Sequence, residues 1–347
     1  MWDNWTPTSS GSWASYNITG NKAVPANAIA EILCTHSNSA IDDILGVRTS
    51  GSILNRYLNI TESESGTAGA VRTTRMLTKV ASNGYIEYYC GDSTNVTYYI
   101  MGYFKNCDYT EMFQADTAGA DANWTVADWF TDYSIPKGSI VEVACCNLLA
   151  TAARILGVRR SGSSSTRSFD LAEAEPNGPT SCHTYTMMTK TNTTNGCVQL
   201  YSEVDADCRF NILGYFNNTI NYTESTLTRI NINAATAGTW SGSDQSGYTD
   251  QNGRLIEVEV GHFLGTAGVT VGARGGDSTA NRYVTMQETE TSLNTNQSFF
   301  CLANASGEID VYTSDGSNDW LNSVGYFVYT PEVLTLTKKR LLFGVGL

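Results

Sequence analysis

Pairs of glutamates that follow an arginine are the residues best placed to do chemistry, and this arrangement occurs three times. The sequence reads LGVRTSGSILNRYLNITESE at 45–64, LGVRRSGSSSTRSFDLAEAE at 156–175 and VGARGGDSTANRYVTMQETE at 271–290. Because side chains on a strand alternate between faces, the second arginine and both glutamates of each copy lie on one face. Carboxylates spaced in this way lie about 7 Å apart, which suits glycoside hydrolysis or a hard cation.

The threefold repetition favours a structural function of these carboxylates over catalysis or cation binding. Three identical active sites in one chain would be unusual, and the sequence has no Asp-rich loop of the calcium-binding type. Each glutamate pair also shares its strand face with an arginine, which needs a partner if it is buried. We therefore predict a structural charge network, with a cation site or catalysis as the alternatives for the glutamates and substrate binding as the alternative for the arginines. The predicted network comprises Arg48, Arg56, Glu31, Glu62 and Glu64, then Arg159, Arg167, Glu142, Glu173 and Glu175, then Arg274, Arg282, Glu257, Glu288 and Glu290.

Within this network, we expect both arginines of each copy to pair with Glu31, Glu142 and Glu257 or with the glutamate pairs. The three histidines do not suggest a metal or catalytic set. His36 and His262 occupy equivalent positions, but Asn147 takes that place in the second copy. The motifs of common hydrolases and zinc sites are missing. We expect a non-enzyme without metal or cofactor.

The nine cysteines do not form a recurring framework. Cys34 and Cys145 occupy matching positions, where the third copy has Val260, and the other cysteines do not recur. A disulfide essential to a repeated fold should recur with it. We predict that most are small buried residues of a protein that folds under reducing conditions.

Three units of similar length position these residues. Each opens with a tryptophan and closes with Gly-Tyr-Phe, over 13–104, 124–216 and 240–327. Within a unit, short runs with apolar and polar residues alternating, such as LIEVEV from Leu255, are separated by turn signals. The pattern predicts an all-β protein of three tandem antiparallel β-sandwich domains, of jelly-roll or Ig-like type.

The predicted boundaries follow the units. They are an N-terminal arm 1–12, sandwiches 13–112, 113–226 and 227–332, and a C-terminal tail 333–347. The connectors carry Tyr-Thr-Glu at 109–111 and 222–224, and Tyr-Thr-Pro-Glu follows the third unit at 329–332. We expect each connector to begin as part of the unit before it, and the apolar tail to pack on a neighbouring domain or subunit. Trp2, Trp5 and Trp129 lie outside the repeated positions, so we expect them to be free for an interface.

Charge excludes some partners. The net charge is −13 and the pI about 4.6, so the surface repels nucleic acid. The sequence has no run of 18 apolar residues, and its N-terminus has neither a basic nor an apolar signal region, so we expect no membrane span and no secretory signal.

The Leu-Gly-Val-Arg, Ser-Gly-Ser and Gly-Tyr-Phe blocks, with the acidic, Thr- and Asn-rich composition, resemble the tandem β-sandwich structural proteins of tailed bacteriophage virions. The resemblance implies a head decoration, fibre or tail-associated protein that folds in the host bacterial cytoplasm and acts at the virion surface. Its partners would be a major capsid or tail protein and copies of itself. The alternative is a carbohydrate-binding adhesin or receptor-binding fibre whose tyrosines and tryptophans stack on a host-surface glycan.

Overall fold

We analysed a computed structural model of the chain. It describes residues 3–37, 42–60, 71–174, 182–217, 220–225, 229–231, 237–245, 254–263, 269–286, 294–314 and 319–328. Five residues of the predicted network lie outside this part of the chain: Glu62, Glu64, Glu175, Glu288 and Glu290.

The regular secondary structure of the described chain is almost entirely β-strand, and the strands form three consecutive sets. The first set is β1 (Asp3–Trp5), β2 (Ala14–Asn17), α1 (Ile18–Lys22), β3 (Ile29–His36), β4 (Asp43–Thr49), β5 (Tyr57–Ile60), β6 (Arg72–Lys79), β7 (Tyr85–Cys90) and β8 (Val96–Phe104). The second is β9 (Tyr109–Asp116), β10 (Asn123–Ala127), α2 (Trp129–Tyr133), β11 (Ile140–Asn147), β12 (Arg154–Arg160), β13 (Ser168–Leu171), β14 (His183–Lys190), β15 (Val198–Ser202), a 3-10 turn (Asp205–Asp207) and β16 (Cys208–Phe216). The third is β17 (Asn221–Glu224), β18 (Arg229–Asn231), β19 (Trp240–Asp244), β20 (Leu255–Phe263), β21 (Val269–Gly275), β22 (Tyr283–Met286), β23 (Asn294–Leu302), β24 (Glu308–Thr313) and β25 (Asp319–Val328).

Each set folds into a jelly roll, in which two antiparallel sheets pack face to face. With the strands of a set numbered 1 to 8, one sheet has the order 1-8-3-6 and the other 2-7-4-5, and this holds in all three sets. In the third set, β17 and β18 share position 1. We call the first sheet of each pair the inner sheet and the second the outer sheet. The predicted all-β fold of three antiparallel sandwiches is confirmed, and the strand order identifies it as a jelly roll.

Local sequence explains the layers. Along β7, Ile86, Tyr88 and Cys90 are buried and alternate with less buried residues, as expected of a strand with one face on the core. All eight residues of β3 are buried, since β3 lies between β8 and β6 in the inner sheet and both of its faces are covered.

The connectors belong to the sandwich that follows them, contrary to the prediction. β9 pairs with β16 and β17 pairs with β25, because strand 1 of each jelly roll hydrogen-bonds to strand 8 of the same jelly roll. The predicted limit between 112 and 113 therefore falls inside β9. The N-terminal arm likewise contributes β1 to the first sandwich.

Two of the three tryptophans predicted to be free for an interface are buried, and the third, Trp2, lies outside the described residues. Trp129 is a core residue of the second sandwich, and Trp5 is a core residue of the first sandwich. Its ring stacks between Tyr16 and Tyr98, with ring centroids 4.4 and 5.0 Å apart. The cysteines are free and, with the exception of the half-buried Cys107, buried, as predicted for most of them. Among the described residues, no helix has the length and apolar character needed to cross a membrane.

The three inner sheets meet around a shared apolar core, which the sequence did not predict. Phe104, Phe216 and Phe327, the last residues of the Gly-Tyr-Phe blocks, lie with ring centroids 5.3, 5.5 and 6.2 Å apart. Each sandwich adds further buried residues to the same cluster, including Leu77, Met188 and Phe300 from strand 6. The sandwiches are therefore arranged as a ring with approximate three-fold symmetry.

Candidate functional site

Arg56 joins the first sandwich to the second. Its fully buried side chain donates from Nε to the Leu213 carbonyl at 2.7 Å and from Nη2 to the Tyr109 hydroxyl at 3.1 Å and Glu142 at 3.3 Å. Glu111 lies 3.5 Å from Nη1. These four groups belong to the second sandwich, while Nη1 also donates to the Val47 carbonyl of its own sandwich at 2.9 Å. We call the contact between the two sandwiches the first joint.

Arg167 makes the second joint, between the second and third sandwiches, in the same way. Its Nη2 donates to the Val324 carbonyl at 3.1 Å and to the Tyr222 hydroxyl at 3.4 Å. Glu224 lies 3.0 Å from its Nη1. The arginine that precedes strand 5 therefore recurs because each copy uses it to bind the next copy.

A repeated β-bulge presents the carbonyl that these arginines bind. In all three inner sheets, the register of strand 3 against strand 8 slips at the strand-3 glutamate. In the second sandwich, Glu142 pairs with Gly214 and Val143 with Ile212, so Leu213 is the extra residue. A bulged residue is left out of the ladder, and the Leu213 carbonyl accepts from Arg56 instead.

In the second and third sandwiches, strand 1 supplies a tyrosine hydroxyl to the buried glutamate of its own sandwich. Tyr109 donates to Glu142 at 2.5 Å and Tyr222 donates to Glu257 at 2.7 Å. A Cβ at Gly214 would overlap the Tyr109 hydroxyl. The glycine of Gly-Tyr-Phe is therefore required by the close approach of the tyrosine.

The glutamate of Tyr-Thr-Glu holds strand 1 against the preceding sandwich. Glu111 accepts from the backbone amides of Thr49 and Lys79 at 2.9 and 3.1 Å and from the Thr78 hydroxyl at 2.7 Å. Glu224 binds the equivalent groups of the second sandwich: Arg160, Lys190 and Thr189. We call this arrangement the Tyr-Thr-Glu clasp.

The third joint brings the third sandwich back to the first. Arg282 Nη2 lies 3.9 Å from Glu31. Arg75, on strand 6 of the first sandwich, donates to Glu257 at 2.6 Å and lies 4.0 Å from Glu31. Its guanidinium also stacks on Phe300, 4.0 Å from the ring centre. The first and third sandwiches are therefore joined by charge pairs although no direct connector links them.

Burial and opposing charges act against each other in the joints. Burial raises the pKa of Glu31 to about 7, against the opposing charges of Arg75 and Arg282. Burial also raises the pKa of Glu142. Burial disfavours the charge on Arg75 as well, but Glu257, Glu31 and Glu142 outweigh it and raise the pKa of the guanidinium.

Arg48, Arg159 and Arg274 lie on the outer sheets, away from the joints. Each stacks on the opening tryptophan of its unit, 3.9 to 4.1 Å from the ring centre. Each also binds a strand-7 side chain: Glu87 at 2.7 Å, Gln199 at 3.1 Å and Asp310 at 2.9 Å. The predicted pairing of these arginines with the strand-3 glutamates is wrong, because strand 4 belongs to the other sheet.

The outer sheets also carry stacked aromatic rings. Tyr57 and Tyr89 stack 5.2 Å apart across Gly46, and Tyr283 and Tyr312 stack at the same distance in the third sandwich. A Cβ at Gly46 would overlap the backbone of the neighbouring strand, which explains this glycine of Leu-Gly-Val-Arg. One face of each ring is therefore already covered.

The structure brings together only part of the predicted network. Arg56, Arg167 and Arg282 meet the strand-3 glutamates or the clasp, but across joints and not within one copy. Glu173 is half-buried near the end of the second copy. The prediction missed five joint residues: Tyr109, Glu111, Tyr222, Glu224 and Arg75. The repeated Tyr-Thr-Glu was the available signal for four of them.

The histidines are not grouped for catalysis. His262 Nδ1 lies 2.7 Å from Asp319, whose other carboxylate oxygen accepts from the Thr313 hydroxyl. In the part of the chain that the structure describes, no three His, Cys, Asp or Glu side chains are placed to hold a metal ion.

Comparison with known proteins gives neither a family nor a curated relative, since no family model and no curated sequence matches the chain. Among solved structures, the chain is similar to a protein of an archaeal virus described by a triple jelly-roll fold and turret assembly, with 9% identity, a TM-score of 0.22, and coverage of 93% of this chain and 82% of that one. It is similar to a Sulfolobus turreted icosahedral virus chain, with 10% identity, a TM-score of 0.23, and coverage of 93% and 84%. It is also similar to a tandem CBM22 domain of Paenibacillus barcinonensis Xyn10C, with 10% identity, a TM-score of 0.17, and coverage of 64% and 93%. These scores are too low to support a function, and the jelly-roll assignment rests on strand order.

Proposed function

We propose that this chain is a non-enzymatic structural protein on the surface of a virus particle, acting as a phage capsid decoration, head fibre or tail-associated protein. The observation that carries the proposal is the use made of the recurrent charges. Arg56, Arg167 and the three strand-3 glutamates are fully buried, and they bind one sandwich to the next. Charged residues used in this way stabilise the contacts between the sandwiches. The outer surfaces then remain available for contacts with other molecules.

Architecture and charge support the same proposal. Jelly rolls form viral capsid domains as well as lectins and cupins. A net charge of −13 keeps large assemblies soluble and apart and disfavours binding to packaged nucleic acid. In this proposal the chain folds in the host bacterial cytoplasm, and its partners are a major capsid or tail protein and copies of itself.

The proposal excludes catalysis by the buried glutamates. Glu31, Glu142 and Glu257 have no exposed surface, so a substrate in solution does not reach them. A purified chain that turned over a substrate, with activity abolished by Glu62→Gln and folding intact, would contradict it.

Particle labelling tests the proposal directly. An antibody raised against the purified chain should decorate the exterior of intact particles in electron micrographs, with regular spacing. Protease treatment of intact particles should remove the label while leaving the internal proteins whole. Absence of the chain from purified particles would overturn the proposal.

A carbohydrate-binding adhesin or receptor-binding fibre is the second candidate, favoured by one observation. Tyr283 is 41% exposed on the outer sheet of the third sandwich, beside Trp240 and Tyr312. A glycan array with the purified chain distinguishes the two. A defined sugar ligand lost on Tyr283→Ala would favour the adhesin, and ordered self-assembly without glycan binding would favour the scaffold.

A further inference from the structure

The lysines in the described part of the chain lie at one end of the ring. Lys79 and Lys190 are the last residues of strand 6 in the first and second sandwiches. Each pairs with the first residue of strand 3, and that residue also pairs with Phe104 or Phe216 at the end of strand 8. Both lysines therefore lie at the end of the ring where strand 8 finishes.

The other described lysines lie at this end as well. Lys105 directly follows strand 8 of the first sandwich. Lys137 donates to the Thr194 carbonyl at 2.9 Å, in the turn between strands 6 and 7 of the second sandwich. Lys22 belongs to α1, which hydrogen-bonds to the equivalent turn of the first sandwich through the Thr19 amide.

Most of these lysines have no carboxylate partner among the described residues. In that part of the chain, Lys22 is the only lysine with an ion pair, to Asp3 at 3.7 Å. By contrast, the half-buried Arg48, Arg154 and Arg274 each bind a carboxylate at 2.6 to 2.9 Å. The chain has 34 acidic residues against 21 lysines and arginines, so carboxylates are not in short supply. The unpaired lysines are therefore placed to meet carboxylates from outside the chain.

Arg160 adds to the positive charge at this end. It is exposed at the end of strand 4. Burial and the nearby charge of Arg160 lower the pKa of Lys190. Glu224 opposes this effect, but its carboxylate already pairs with Arg167 at 3.0 Å. An external carboxylate would relieve the repulsion between the two cations. We call the following residues the lysine face: Lys79, Lys105, Lys137, Lys190 and Arg160.

The opposite end of the ring carries acidic turns. Asp92 lies in the turn before β8, and Asp205 and Asp207 belong to the 3-10 turn before β16. Of the cations here, Arg154 binds Asp207 at 2.6 Å and Arg209 is exposed. The charge of the chain is therefore distributed unevenly along the axis of the ring, which orients the chain towards an acidic partner before contact.

We propose that the lysine face docks on an acidic surface of the protein shell of the particle, with the opposite end directed outwards. This inference rests on the proposed function and adds an orientation to it. Carboxylates of the shell would complete the ion pairs that the chain leaves open. Nucleic acid does not fit this surface, because the net charge of −13 repels a phosphate backbone.

Acetylation of lysines on intact particles tests the proposal. Lys79, Lys105, Lys137 and Lys190 should react with an amine-reactive ester roughly fivefold more slowly in the particle-bound chain than in the purified chain, as measured by mass spectrometry. Arg209→Lys places a reporter lysine at the opposite end, which should react equally fast in both. Lysine-face residues that react equally fast in both would overturn this inference alone. Absence of the chain from particles would overturn the proposed function and this inference with it.

Charge reversal provides a second test. Lys137→Glu should weaken binding of the purified chain to particles assembled without it by roughly fivefold, and added salt should reduce the difference. Arg209→Glu is the matched control, because it makes the same charge change at an exposed residue of the opposite end, and it should alter binding by less than about twofold. Both variants should melt at the temperature of the unmodified chain.

Two outcomes of the second test would contradict the proposal. Equal weakening by Lys137→Glu and Arg209→Glu would show that net charge, and not the lysine face, controls binding. Slow acetylation of the lysine face in dimers of the purified chain, identified by light scattering, would mean that a second copy occupies this surface.

Discussion

Buried charges in the joints are stabilising only while their partners are complete. Taking a carboxylate or guanidinium out of water costs several kcal/mol, which the pair recovers only through good geometry and added hydrogen bonds. Arg56 meets this condition with carbonyl, hydroxyl and carboxylate acceptors. Its joint is therefore sensitive to the loss of any one partner.

Replacing Glu142 with Gln should destabilise the chain by about 3 kcal/mol, because Arg56 then remains buried with one of its two carboxylate partners removed. Urea unfolding followed by tryptophan fluorescence measures the change. Lys22→Ala is the control, since its partner Asp3 is exposed and the pair is 3.7 Å long, and it should cost less than about 0.5 kcal/mol. Equal effects of the two substitutions would contradict a role for Glu142 in the joint.

His36 should make the first sandwich sensitive to acid. Burial lowers its pKa to about 4, against the opposing charges of Asp92 and Asp42. Because the unfolded chain takes up this proton near pH 6.5, stability is lost as the pH falls from about 6.5 to about 4.

His36→Asn, which introduces the residue found at Asn147 in the second sandwich, should remove about 2 kcal/mol of this loss. Unfolding free energies at pH 7 and pH 4.5 for the two proteins test it. Parallel pH profiles would show that His36 does not carry the effect.

At the residue level, the sequence indicated which arginines and glutamates belong to a charge network but not which of them pair. Repetition distinguished Arg56 and Glu142 as members of a charge network. A repeat cannot distinguish pairing within a copy from pairing between copies, because both preserve the same residues at the same spacing. Arg75 carries no such signal, since Thr186 and Ser298 occupy its place in the other copies.

The β-bulge is the element on which the first and second joints depend. It turns the strand-8 carbonyl to the neighbouring arginine, and the adjoining glycine admits the tyrosine. Gly214→Ala should therefore cost about 2 kcal/mol, by overpacking against Tyr109. Gly242→Ala is the control, because a Cβ there would meet nothing within 4 Å. Thermal unfolding compares them, and a neutral Gly214→Ala would contradict this account.

Most strands could be predicted from the sequence, because alternation and turn residues are local signals. The sandwich to which each connector belongs could not be predicted in this way. β9 follows β8 closely, yet it hydrogen-bonds to β16, which lies about a hundred residues further along. Such long-range pairing is decided by the tertiary jelly-roll topology, and Tyr-Thr-Glu indicates only that the two connectors do the same thing.

As a whole molecule, the chain should unfold in one transition although it has three sandwiches. Phe104, Phe216 and Phe327 share one core, and the joints bury charges that would be exposed if one sandwich separated. Phe216→Ala should lower the stability by about 3–5 kcal/mol and leave a single calorimetric peak at lower temperature. Three resolved peaks in the unmodified protein would show that the sandwiches unfold independently.

Covalent linkage of the copies allows Arg75 to exist once. Arg75 lies close to Glu257 and Glu31, and the charge of Glu142 also raises its pKa. It therefore interacts with one carboxylate from each of the three sandwiches. In an assembly of three separate identical subunits, an arginine at this position would be present three times. The three buried guanidinium groups would repel one another and destabilise the assembly. Fusion into a single polypeptide removes that constraint, so asymmetric substitutions at the centre become accessible to evolution.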